Sequence, residues 1–77
     1  MTNLRSLVNQ KSTTGIVSWY RQDAGLGSIK QNNGHTIKID FEGLCPITRL
    51  ILKRGSKVSF RIKVGNEGRA AHNIVVL

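Results

Sequence analysis

Few side chains in this sequence are equipped to make or break a covalent bond. Cys45 is the one cysteine, so neither an intramolecular disulfide nor a zinc site of paired thiolates can form. His35 and His72 have no histidine four residues away and no neighbouring cysteine, which argues against a metal. No carboxylate pair has obvious acid/base spacing, and no Ser/His/Asp arrangement stands out, so the chain does not read as an enzyme. Gly25 and Gly27 flank Leu26, but the third glycine and the strand-to-helix setting of a dinucleotide loop are missing. No Gly-Lys-Ser/Thr phosphate loop is present either, and no cofactor is implied. What remains is charge. Twelve Lys and Arg oppose four acids, a formal net charge of +8 on 77 residues. That excess favours a polyanionic partner, nucleic acid ahead of an anionic membrane, over simple solubility.

The elements that would position those cations are short strands. Ile16 to Tyr20 is β-branched and aromatic, with Gly15 before it. A second strand runs from Gly25-Leu26-Gly27 to about Lys30, and Gln31-Asn32-Asn33-Gly34 then supplies Asn-Gly turn chemistry. His35 to Phe41 alternates, with Ile37 and Ile39 facing one way and Lys38 and Asp40 the other. The connection from Glu42 to Ser56 holds Ile47, Leu50, Ile51 and Leu52, which predicts that it packs down on the body. Lys57 to Val64 has the clearest period of two: Val58, Phe60, Ile62 and Val64 on the inner face, Lys57, Ser59, Arg61 and Lys63 on a solvated one. A turn at Gly65-Asn66-Glu67-Gly68 leads into a last strand from Ala70. Five short strands in a small basic chain fit an all-β, five-stranded antiparallel Greek-key barrel of the oligonucleotide-binding type.

The length allows one domain, and a chain this small buries only about 60% of its unfolded surface. Residues 1–14 read as a mobile N-terminal extension, with Leu4, Leu7 and Val8 at helical spacing, and residues 15–77 as the barrel domain. The extension lacks the continuous apolar segment of a secretory signal. No apolar run is long enough for a membrane span. The expected setting is cytoplasmic and reducing, with no membrane partner.

Five segments, forming four anchors, carry a resemblance to the cold shock domain family. Gly15-Ile16-Val17-Ser18-Trp19-Tyr20 and Ala24-Gly25-Leu26-Gly27-Ser28-Ile29 match its opening, G-x-V-K-W-F then K-G-F-G-F-I. Ile37-Lys38-Ile39-Asp40-Phe41 matches V-F-V-H-F. Leu52 to Phe60 matches L-x-x-G-x-x-V-x-F, and Gly68 to Ile74 matches G-P-x-A-x-N-V. The order and near-correct spacing of these anchors make the match specific over residues 15–77. The resemblance implies binding of single-stranded RNA or DNA with weak base preference, and roles such as RNA chaperoning or control of gene expression. Members stack bases on exposed rings and track phosphates with Lys and Arg.

Carried over by position, much of that ring platform is replaced. Trp19 and Phe41 are kept as stacking points, and Tyr20 stands for a Phe. Leu26 and Ser28 stand where two rings are expected, and Lys38 and Asp40 where Phe and His are expected. Arg49 aligns with the aromatic of the long loop. Lys53 and Arg54 replace an acidic pair, and Arg69 replaces a Pro. Phosphate neutralisation by Lys30, Lys38, Arg49, Lys53, Arg54 and Arg69 would then dominate binding, opposed by Asp40 and Glu67. Two positions stay open: strict alternation puts Trp19 on the inner face of Val17 while the resemblance puts it outside, and Phe41 ends a strand and could face either way. The alternative function is a barrel that has lost nucleic acid and binds a protein partner.

Overall fold

The computed structural model describes residues 12–77. Its strands are β1 (Thr13–Arg21), β2 (Leu26–Gln31), β3 (Thr36–Ile39), β4 (Lys57–Gly65) and β5 (Gly68–Val76). A single 3-10 turn (Phe41–Gly43) and one helix, α1 (Pro46–Ile51), lie between β3 and β4. The strands close into a barrel in the order β1-β2-β3-β5-β4. Every pairing is antiparallel except the closing one, a parallel contact of Lys38 with Ala70. Closure joins the two outer strands of a small sheet, although β3 and β5 meet at a single pair. β1 begins at Thr13, inside the segment read as an extension. The helical spacing at Leu4, Leu7 and Val8 and the expected mobility lie outside the described residues.

The core is Val17, Ile29, Ile37, Ile39, Leu52, Val58, Phe60, Ala71 and Ile74, with Tyr20, Leu44, Ile62 and Val76 packed partly against it. The inward positions expected for β3 and for the first half of β4 are therefore correct. Val64 is not: it is 74% exposed. Beyond Ile62, among the described residues, β4 pairs with β5 alone in a two-stranded arm, and its inner face there packs against none of the core.

The connection corrects a second expectation. Of its four apolar residues only Leu52 is buried, while Ile47 and Leu50 are about 70% exposed and Ile51 is exposed too. Residues 47, 50 and 51 share one helical face, and that face points to solvent. The opposite face carries Thr48, which is buried and donates its hydroxyl to the Ile74 carbonyl at 3.4 Å. Pro46 starts the helix at a position where a missing N–H costs nothing. Cys45, just before it, is exposed, and its hydrogen bond with Thr48 lowers the thiol pKa.

The hairpin between β2 and β3 is a residue longer than a two-residue Asn-Gly turn. Gly34 donates to Gln31 O at 3.0 Å, and Gln31 donates to His35 O at 2.8 Å. Gly34, with φ +87°, takes the left-handed position. The third strand is also shorter than expected: it stops at Ile39, because Asp40 caps the following turn by accepting from Glu42 N at 3.1 Å.

Candidate functional site

The face built by β1, β2 and β3 depends on one irregularity. Val17 pairs with Ile29, and the next pair along is Trp19 with Ser28, so β1 carries an extra residue at Ser18. A bulge of this kind reverses the alternation beyond it. Val17 stays inside, and Trp19 joins the outward set at 47% exposed. The question left open by strict alternation is thus settled by the backbone. Gly27 makes room for this: a Cβ there would sit 2.6 Å from the Trp19 carbonyl oxygen.

Register then lays out the surface. Trp19 faces Ser28, Ser28 faces Lys38, and Lys38 faces Ala70, so the four lie in one transverse row. Lys30 stands two residues from Ser28, on the same side of β2, between Ile16 and Thr36. Leu26 lies at the other end of that side, 44% exposed, where the resemblance implies a ring. Phe41 sits in the 3-10 turn rather than a strand and is 56% exposed. It packs its Cβ against the space over Gly25, whose φ of +65° closes the β1–β2 turn.

Two of the residues carried over by resemblance have structural work of their own. The Tyr20 hydroxyl donates to the Arg49 carbonyl at 2.9 Å, tying β1 to α1. Burial raises the Tyr20 pKa, and the Arg49 charge only partly opposes this, so the phenol stays a neutral donor at neutral pH. Arg49 donates to the Gln22 and Asp23 carbonyls at 3.4 and 3.2 Å, holding the β1–β2 turn beside Phe41. Tyr20 and Arg49 are therefore engaged with the fold, set apart from the Trp19–Ser28–Lys38 row.

The remaining cations lie around that row. Lys53 and Arg54 are exposed on a turn that abuts β1 just before the bulge: Gly55 donates to Val17 O at 2.8 Å and Val17 donates to Ser56 O at 3.0 Å. Arg69 lines an open groove with Lys38, Asn33, His35 and Glu67. Lys38, the cation of the row, makes a long ion pair with Glu67 at 3.9 Å. Sequence pattern carries no sign of this contact, because Glu67 is nearly thirty residues away (67 − 38 = 29). Among the described residues no group of His, Cys, Asp or Glu is placed to hold a metal ion.

No protein-family model matches the chain. Individual relatives do. The cold shock-like protein CspG of Shewanella violacea is 37% identical over 67 residues, which span 86% of this chain and 96% of the relative. The cold shock-like protein CspA of the same organism is 33% identical over the same shares. The cold shock protein CspD of Bacillus subtilis is 33% identical, over 82% of this chain and 96% of its own. The chain belongs to the cold shock protein family. The closed five-stranded barrel agrees with that membership. As a cold shock protein it departs from the expected pattern in what its outer face offers: one large ring in the row, a serine and a lysine beside it, and Leu26 below. No helix among the described residues is long and apolar enough to cross a membrane.

Proposed function

We propose that this cold shock protein binds single-stranded RNA or DNA, with charge supplying most of the affinity and with weak preference among bases. The observation that carries this reading is the bulge at Ser18, which turns Trp19 out beside Ser28 and Lys38 on a chain of net charge +8. A half-exposed indole offers a π-face to any base, and stacking on a ring is worth roughly 1–3 kcal/mol per base. Lys30, Lys38, Lys53, Arg54 and Arg69 would contact phosphates, which carry no sequence information. Phe41 would hold a second base at the hollow it shares with Arg49. Binding of this kind suits a cytoplasmic RNA chaperone or a regulator of gene expression.

One observation favours the rival reading, a protein-interaction module without nucleic acid. Ile47, Leu50 and Ile51 form an outward apolar helix face next to Leu44 and Phe41. Trp19 separates the two. Oligo-dT or oligo-U should quench its fluorescence, and Trp19→Ala should weaken binding by roughly 1–3 kcal/mol. A folded domain that binds no strand at low salt would leave the protein partner as the better account.

A further inference from the structure

The barrel is weakest where β3 meets β5. That seam is one residue pair, Lys38 with Ala70, whereas every other seam is a ladder of four pairs or more. On either side of the pair the strands part into an open groove, and both grooves are lined by Lys38 and by Glu67. Glu67 belongs to the Gly65–Gly68 turn at the tip of the β4–β5 arm, and its side chain is almost fully exposed. Its carboxylate leans back over the seam to the Lys38 ammonium, 3.9 Å away. The only other ion pair among the described residues joins Arg21 to Asp23, near neighbours on the β1–β2 turn. The pair at the seam is thus the one contact by which a carboxylate reaches the centre of the proposed binding face.

An exposed ion pair of this length is weak, so a stronger anion can replace the carboxylate. A lysine already paired with a carboxylate neutralises a phosphate less effectively, so fewer counterions leave the strand when the two meet. We infer that Glu67 is an internal competitor of nucleic-acid phosphate for Lys38, and so sets how tightly this face holds a strand. The inference rests on the single-strand reading above. Asp40 and Glu42 line one of the same grooves, but the Asp40 carboxylate caps the 3-10 turn and neither acid pairs with Lys38. Arg69 and Lys63 line the two grooves from β5 and β4 and form no ion pair among the described residues, so a strand displacing Glu67 meets cations on both sides.

The experiment is a double-mutant cycle read by anisotropy of a labelled oligo-dT. Glu67→Gln should let Lys38 make its one phosphate contact without competition. The slope of log K against log salt should steepen by roughly 0.7, which at 0.1 M salt is about a fivefold gain in affinity. In a Lys38→Gln background the same change at Glu67 should do almost nothing. Both positions are exposed, and thermal unfolding of each variant confirms that the barrel is intact. An equal gain in both backgrounds, or no gain in either, would overturn the competition while leaving single-strand binding in place. If the unaltered chain bound no strand at all, the single-strand reading itself would fail, and the competition with it.

Discussion

Phe60→Ala is expected to destabilise the barrel by about 3–5 kcal/mol, the usual loss when a buried ring is cut to a methyl. Phe60 is 1% exposed and is the largest of the fully buried side chains. A domain of this size has only about 5–15 kcal/mol to lose. The variant should therefore unfold at clearly lower urea concentration, with the same slope if both states keep their compactness. Val64→Ala, four residues along the same strand, should change stability by no more than about 0.5 kcal/mol, because that side chain touches no core. Equal losses at the two positions would contradict the placement of the barrel's end.

Leu26→Phe combined with Ser28→Phe should produce the largest change in binding. Both positions face outward on β2, and Ser28 lies between Trp19 and Lys38. Two new rings would extend the stacking surface by as many bases, at roughly 1–3 kcal/mol each. Affinity for oligo-dT should rise at least tenfold, since each 1.4 kcal/mol is a factor of ten. The number of phosphate contacts does not change, so the salt slope should stay where it was. Affinity that rises only through a steeper salt slope would mean that the rings are not stacking.

How much of this was legible in the sequence follows from how far each ladder runs unbroken. Ile37, Ile39, Val58 and Phe60 face inward as their alternation predicts, because β3 and the start of β4 are regularly paired. Trp19 could not be placed by alternation, since the parity of β1 changes at Ser18 and nothing in that residue announces a bulge. β5 holds a second shift of the same kind. Ser59 pairs with Val75 and Arg61 with His72, so β5 has one residue to spare, and Asn73 absorbs it at φ +51°. Ala71 and Ile74, three apart, are consequently both buried. The apolar face of α1 misled for another reason. Hydrophobic spacing predicts burial only when that face meets the body, and the Thr48 hydroxyl and Leu52 orient the helix the other way. The sequence named Lys30, Lys38, Lys53, Arg54 and Arg69 as candidates, and all five are exposed. The ties of Arg49 to the Gln22 and Asp23 carbonyls and of Lys38 to Glu67 were not legible, because both are contacts between segments far apart in the chain.

The claim that charge carries the binding is tested most directly by titrating the protein with a short labelled single strand at several salt concentrations. Counterion release gives a slope of log K against log salt of roughly −0.7 per phosphate neutralised on a single strand. Lys30, Lys53, Arg54 and Arg69 form no ion pair among the described residues. About four such contacts predict a slope near −3, and an affinity that falls about twentyfold for a threefold rise in salt. A slope near zero, with strong binding kept at high salt, would contradict the account and assign the affinity to stacking on Trp19 and Phe41.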